Sequence, residues 1–307
     1  MFQIVLATLF QAIVPLSIPV IVGAVLARYK KLDTKPFQIL FLYFLIPGLI
    51  FDTFINVEIV MTDVYKTLAF SILNLLLLWG LAVGLGKFLK LPSRETAGLT
   101  LVSTFTNSVN YGLPLILLTF GQLGLEKASV YVVIQMVIVN TVGIYFAARS
   151  SFTFKGALKS VFSLPAIYAA ILATLLKFFD IPVPIGIQTG FSMIADAYAP
   201  VVLTILGAQM VNVGAKKSEQ SVSLALWSGI FVRLFASPLI ALICLLLLRI
   251  EGILFSVLFI LACMPVAVNS VVLAEKFNAS PKMVSKSILW TTLASFIILP
   301  VLIGIIR

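Results

Sequence analysis

Two of the long apolar segments in this sequence are interrupted near their centres by residues that end or begin helices. One interruption spans Asn107–Pro114 (NSVNYGLP), and the other spans Met264–Asn269 (MPVAVN). Inside a bilayer, the backbone leaves the helical hydrogen-bond ladder only where protein or a water-filled cavity satisfies the freed polar groups. A pair of such breaks at corresponding places in two halves of a chain is typical of a secondary transporter's binding site. The pair therefore predicts a transporter whose site lies between the two breaks.

Apolar segments of membrane-spanning length make up most of the 307-residue chain. Hydrophobic residues account for 61% of it and charged residues for 10%, whereas a soluble domain has about 25% charged residues. A transmembrane helix needs about 20 apolar residues, and ten segments meet that length. They are residues 2–27, 36–55, 65–89, 95–119, 127–148, 160–179, 186–210, 221–249, 252–276 and 282–306. No gap between them can hold a soluble domain, so the sequence predicts an all-α membrane protein with ten transmembrane helices.

The Lys and Arg residues are distributed unequally between alternate loops. Of the 21 such residues, 15 lie in one set of loops and five in the other, and Arg233 lies inside a predicted span. Because cytoplasmic loops carry the excess of positive charge, the larger group is predicted on the cytoplasmic side. Both termini are then extracytoplasmic, and we expect a multi-pass protein of the cytoplasmic membrane.

The ten spans divide into two sets of five at the loop Arg149–Lys159. An odd number of spans in each half reverses the second half in the membrane, so any repeat must be inverted. Prolines lie in the second and seventh spans (Pro47 and Pro200), and the two breaks lie in the fourth and ninth. These matching positions predict two inverted five-helix repeats, residues 1–150 and 151–307. The alternative is that the matching positions are a coincidence, because proline is common in transmembrane helices.

Several kinds of functional site lack the residues they need. The sequence has no histidine and two cysteines, Cys244 and Cys263, both inside apolar runs. A zinc or iron site is therefore not expected, and a hydrolytic pair of nucleophile and histidine cannot form. The basic residues do not build an aromatic-interleaved face of the kind that binds nucleic acid. We expect no enzyme activity, no cofactor, no metal and no nucleic-acid partner.

Each break contains residues that can start a second half-helix. Asn is a strong helix N-cap and Pro fits the first turn, so Asn110 and Pro114 predict a half-helix that begins at mid-membrane. In the other break, Pro265 ends one half-helix and Asn269 caps the next. The first N–H groups of a helix are free, and its dipole adds partial positive charge there. Inverted symmetry predicts a small anion site where Asn107, Asn110 and Asn269 meet; the alternative is a pair of kinks that serve packing only.

The same residues resemble the signature of a known transporter family. Asn107 with Asn110-Tyr-Gly-Leu-Pro-Leu115, and Met264-Pro-x-x-Val-Asn-Ser270, are similar to the fourth- and ninth-span motifs of the auxin efflux carrier family. The motifs add further candidate substrate-binding residues, namely Tyr111, Gly112, Pro114, Met264 and Pro265. The chain departs from the family in having Ser108-Val109 where the family has Thr-Gly, and in lacking the long cytoplasmic loop of the plant carriers. The cargo of one member therefore does not transfer to this chain.

The resemblance implies a fold similar to that of the bile acid sodium symporters, set in a lipid bilayer. In that fold the first, second, sixth and seventh spans form a scaffold, the other six form a mobile core, and the broken fourth and ninth helices cross. The resemblance also implies a homodimer that moves small organic anions, such as auxin or the dicarboxylates malonate and malate, by elevator-type alternating access. A sodium-coupled symporter of the bile-acid type and an anion channel remain as alternatives.

Charged residues inside spans are energetically costly and are functional candidates by default. Arg233 lies near the middle of the eighth span. It either neutralises a substrate carboxylate or pairs with an acid of the core; the alternative is a structural role in which it caps carbonyls freed by the broken helices. Asp52 and Asp196, in the second and seventh spans, are candidates for a coupling Na⁺ or proton site, or are acids paired with a local base near the interface. Gln135 and Asn140 are expected to hydrogen-bond neighbouring helices rather than bind cargo.

Overall fold

The computed structural model describes residues 9–56, 60–143, 145–146, 154–214 and 223–306. Apart from short turns and the two breaks, the chain is helical in these ranges, where the only strand-like pairing is one isolated bridge between two residues. Six of the described helices are long and apolar enough to cross a membrane, judged by length and composition, and two further apolar helices are shorter. The predicted all-helical membrane class is confirmed, while the count of ten crossings stays a prediction.

The helices are numbered here in chain order. They are α1 (Val14–Lys30), α2 (Lys35–Asn56), α3 (Met61–Phe88), α4 (Ser93–Thr104), α5 (Ser108–Gly143), α6 (Phe154–Phe162), α7 (Pro165–Phe178), α8 (Ile185–Gly214), α9 (Leu224–Leu247), α10 (Gly252–Ala262), α11 (Ser270–Phe277) and α12 (Pro281–Ile306). The predicted fourth span corresponds to α4 and the first part of α5, and the predicted ninth span to α10 and α11. Both of the predicted interruptions are therefore present.

Helix α5 is two helices joined at a bend rather than one straight rod. Gly121 has φ 66° and ψ −159°, a conformation outside any helix that glycine reaches because it lacks a Cβ. A straight helix of 36 residues would be about 54 Å long, whereas the hydrocarbon core of a bilayer is about 30 Å thick. The bend at Gly121 separates the predicted fourth span from the predicted fifth.

Four helices share a local arrangement around proline. In each, a five-residue π-helical turn is followed two residues later by Pro: Leu9–Ile13 before Pro15, Phe41–Leu45 before Pro47, Ser108–Gly112 before Pro114, and Val232–Ala236 before Pro238. Proline has no N–H, and its ring collides with the carbonyl four residues earlier. Widening the turn to bonds between residues five apart makes room for the ring. The carbonyl that faces the proline then lacks a helical donor and needs another partner.

Helices α1, α2, α7 and α8 pack as one group, which we call the scaffold group. The tightest contact is between α1 and α8, where glycines allow backbones to touch. A Cβ atom at Gly23 would lie 1.9 Å from the carbonyl oxygen of Thr204, and one at Gly207 would lie 1.9 Å from that of Val20. Helix α2 packs against both α7 and α8.

The remaining long helices, α3–α5 and α9–α12, form a second group around the two breaks, which we call the crossing group. Helix α3 packs on α4 and α9, α10 packs on α5, and α12 packs on α4, α9 and α11. Lys127 Nζ lies 2.8 Å from Asp63 Oδ2, so α3 and the second part of α5 begin at the same end of the bundle. The scaffold group meets the crossing group where α8 contacts α12 and the turn Ser108–Gly112.

Candidate functional site

The two breaks lie against each other and are joined by backbone hydrogen bonds. The N–H of Asn107 donates to the carbonyl of Pro265 at 2.8 Å, and the N–H of Ala267 donates to the carbonyl of Phe105 at 3.0 Å. Thr106 and Val266 form the antiparallel bridge between them. Each interrupted segment thus satisfies polar groups of the other, which is the condition for non-helical backbone at membrane depth.

One detail of the predicted breaks is wrong. The second half-helix of the first break begins at Ser108, so Asn107 takes the N-cap position and Asn110 lies inside the first, π-helical turn. The widened turn that accommodates Pro114 moves the start of the helix three residues earlier than a cap at Asn110 would. In the second break Asn269 does occupy the N-cap position, as predicted, and neither Asn107 nor Asn269 makes a side-chain capping hydrogen bond.

The first half-helices of both segments end at one buried arginine. Arg233 is fully buried; its Nη1 donates to the carbonyl of Ser103 at 3.1 Å and its Nη2 to the carbonyl of Ala262 at 2.5 Å. Nη2 also contacts Ser237 Oγ. Ser103 and Ala262 lie in the last turns of α4 and α10, where helix dipoles add about half a negative charge each. Two such ends balance one guanidinium, so these contacts match the carbonyl-capping alternative for Arg233.

A cavity of about 100 Å³ lies where the second half-helices begin. Asn107, Asn110 and Asn269 all line it, which brings together the three asparagines that the sequence singled out. Asn107 and Asn110 are buried, while the side chain of Asn269 is exposed. The volume has room for several water molecules or a small polar group.

The cavity wall is shared between the two groups of helices. The scaffold group contributes Phe41, Leu42 and Ile46 from α2, together with Leu164, which directly precedes α7. The crossing group contributes the break residues and one face of the second part of α5. None of the described residues that line the cavity has a charged side chain.

Four polar residues on the cavity wall were not predicted as binding residues. Thr106 and Ser108 come from the first break, and Gln135 and Asn140 from α5. Asn140 Nδ2 donates to the carbonyl of Met136 at 2.9 Å, a bond within its own helix. Gln135 and Asn140, which were expected to hydrogen-bond neighbouring helices rather than bind cargo, both lie on this wall. Met136 and Val139 lie between them in sequence and line the same wall. These four residues therefore occupy one face of the helix.

The other motif residues pack within the crossing and do not line the cavity. Tyr111 is fully buried and its ring centroid is 5.8 Å from that of Phe296. A Cβ at Gly112 would lie 2.7 Å from Leu261 Cδ2. Pro114 sets the π-helical turn described above, and Met264 and Pro265 are buried within the second break. Neither these five residues nor Arg233 is among the described residues that form the cavity wall.

The two candidate acids lie in the scaffold group, away from the cavity wall. Asp52 Oδ1 accepts a hydrogen bond from Ser192 Oγ at 2.7 Å, which links α2 to α8, and another from Asn56 Nδ2 at 3.3 Å. Asp196 is exposed on α8. Among the described residues, no three His, Cys, Asp or Glu side chains are grouped as ligands of a metal ion would be.

Comparison with known proteins identifies the family. The sequence model of the family described as "Membrane transport protein" matches residues 8–154 and 151–303, nearly the whole chain. The chain belongs to this family, the auxin efflux carrier family. The two matched stretches meet where the spans divide five and five.

Two archaeal relatives are similar over most of their length. One is an uncharacterized transporter of Methanocaldococcus jannaschii, 28% identical over 230 residues, or 71% of each chain. The other is an uncharacterized transporter of Methanothermobacter thermautotrophicus, 28% identical over 210 residues, or 68% of each chain. This auxin efflux carrier family member is therefore a membrane transporter, with six apolar helices of spanning length in its described part.

Proposed function

We propose that this protein is a secondary transporter that carries a small organic anion across the cytoplasmic membrane. The observation that carries the proposal is the electrostatic arrangement of the crossing. Two helix carboxyl ends are neutralised by Arg233, and two helix amino ends, at Asn107 and Asn269, border the cavity. Two amino ends supply together about one positive charge, which favours the binding of a carboxylate.

The chemistry of the cavity wall supports the same class of cargo. Its polar side chains are amides and hydroxyls, and acids are absent from its described residues. An anion therefore meets donors and no like charge, whereas a cation would meet two positive helix ends. Asn107, Asn110 and Asn269 are the proposed first contacts of the carboxylate, with Gln135 and Asn140 facing the remainder of the cargo.

Elevator-type alternating access fits the division of the cavity wall between the scaffold and crossing groups. A cargo bound at the crossing changes sides when the crossing group slides along the scaffold group. The proposed ten-helix architecture with inverted repeats has support from the packing: α1 lies on α8, and α2 on α7. In the proposed repeats α1 corresponds to α7 and α2 corresponds to α8. Exchanging the repeats therefore turns the contact of α1 with α8 into the contact of α7 with α2. Both termini are extracytoplasmic in this arrangement, and homodimerisation through the scaffold is part of the same proposal.

Binding is tested with purified protein by thermal shift against indole-3-acetate, malonate and malate. The Asn110→Ala and Asn269→Ala variants should each weaken binding at least tenfold, because each removes a hydrogen bond to a charged group worth about 1.5–3 kcal/mol. Gln135→Ala should weaken it less, as a bond to a neutral part of the cargo. The control is Asn74→Ala, which removes an amide as buried as that of Asn110 but outside the cavity wall. Wild-type affinity in both the Asn110 and Asn269 variants would refute the site.

Coupling and mechanism are tested in vesicles loaded with the best ligand of that screen. Accumulation without sodium excludes a sodium-coupled symporter of the bile-acid type. Saturable counterflow excludes an anion channel. Asp52 and Asp196 are the proposed groups for a coupling proton or Na⁺, and Asp52→Asn or Asp196→Asn should then abolish the dependence of uptake on that ion while exchange of cargo continues.

A further inference from the structure

One hydrogen bond links the scaffold group directly to the backbone of the cavity. Tyr198 Oη, on α8, donates to the carbonyl of Val109 at 2.8 Å. Tyr198 is 2% exposed, and its ring lies beside Phe41, with the centroids 6.1 Å apart. Val109 and Phe41 both line the cavity. The bond therefore joins the two groups of helices at the edge of the candidate site.

The carbonyl of Val109 is available to Tyr198 because of the proline that follows. Within the π-helical turn, the N–H of Gly112 donates to Asn107 and the N–H of Leu113 donates to Ser108. The next donor in this register would be residue 114, which is proline and has no N–H. Even a partly buried carbonyl is unfavourable without a donor. Pro114 therefore leaves the Val109 carbonyl open as the acceptor for the Tyr198 hydroxyl.

We infer that Tyr198 is a latch that holds the crossing group against the scaffold group in this conformation by donating to the Val109 carbonyl. The inference rests on the proposed transport function, in which the crossing group slides along the scaffold. Sliding carries Val109 away from α8 and breaks this bond. The bond then stabilises this conformation over the alternative by its net strength, which corresponds to a population ratio of about two- to tenfold.

The latch is tested by the reactivity of a cysteine introduced at the boundary between the two groups. Ile46, on the scaffold side of the cavity wall, is 0% exposed, so the thiol of an Ile46→Cys variant reacts with N-ethylmaleimide only when the crossing group moves. When that movement is fast compared with the reaction, the rate follows the population of the open conformation. The two native cysteines, both buried, are replaced by alanine, and the protein is reconstituted in vesicles without added ligand.

Tyr198→Phe should raise the reaction rate of the thiol introduced by Ile46→Cys about two- to tenfold. The matched control is Tyr168→Phe, which removes a tyrosine hydroxyl that donates to the carbonyl of Phe162 at the same distance, 2.8 Å. That bond does not connect the scaffold group to the crossing group, so its loss should change the rate less than twofold. An unchanged rate in Tyr198→Phe overturns the latch.

Pro114→Ala provides a second, independent test that keeps the tyrosine. Alanine supplies an N–H for the Val109 carbonyl, so this change alone should raise the rate, and adding Tyr198→Phe should then have less than a twofold effect. A full effect of Tyr198→Phe in the Pro114→Ala background would mean that the hydroxyl acts through another group, and it overturns the inference. Failure of the proposed function is distinguishable, because it appears as wild-type ligand affinity in the Asn110 and Asn269 variants.

Discussion

The strongest test of how the crossing is held together is Arg233→Lys. The guanidinium of Arg233 uses two nitrogen atoms to reach carbonyls of two different helices, Ser103 in α4 and Ala262 in α10. A lysine keeps the positive charge but has a single nitrogen at the end of its side chain. Its ammonium replaces one of these two nitrogens, so one of the two charge-assisted hydrogen bonds is lost, although the carbonyl of Ala262 still accepts a hydrogen bond from Ser237 Oγ at 3.2 Å.

The size of the effect follows from the lost bond. A hydrogen bond to a charged group contributes about 1.5–3 kcal/mol, and the charge buried in the two proteins is the same. At about 2 °C per kcal/mol for a chain of this size, the apparent melting temperature should fall by about 3–6 °C. The ammonium is also more strongly hydrated than the guanidinium, which adds to the loss.

The assay is thermal unfolding in detergent, with Arg249→Lys as the control. Arg249 is exposed in the turn after α9, and exposed substitutions of this kind change stability by less than about 0.5 kcal/mol. Ligand-induced stabilisation by the three carboxylates is measured on the same samples. A wild-type melting temperature in Arg233→Lys combined with loss of carboxylate binding would refute the capping role and favour direct contact with cargo.

Two further predictions concern the packing and the topology. Gly207→Ala should destabilise the protein by about 1–3 kcal/mol, because its Cβ would lie 1.9 Å from the carbonyl oxygen of Val20. Its melting curve is compared with that of Gly186→Ala on the same helix. No atom lies within 4 Å of a Cβ at position 186, so alanine there should be neutral or stabilising. Single cysteines at Lys31 and Lys155 should react with an impermeant maleimide only from the cytoplasmic side of oriented vesicles, and labelling from outside would overturn the orientation derived from the loop charges.

The sequence alone determined the class of protein and the places where its helices break. Long apolar runs require helices in a bilayer because lipid cannot satisfy free backbone groups, and Pro, Gly and Asn interrupt a helix through their own local geometry. These effects depend on nearest neighbours, so the interruptions around Asn107 and Pro265 were predictable. The motif around Asn110 also identified the family correctly.

Tertiary structure decided which neighbours each polar residue meets. The sequence left the role of Arg233 open, and its contacts with Ser103 and Ala262, 130 and 29 residues away, match the carbonyl-capping alternative. The sequence did not show that the helix face with Gln135 and Asn140 meets the cavity. It also did not show that Tyr198 donates to the carbonyl of Val109, 89 residues away. Their roles depend on which helices pack together, because a polar group inside a membrane is satisfied by whichever helix lies against it.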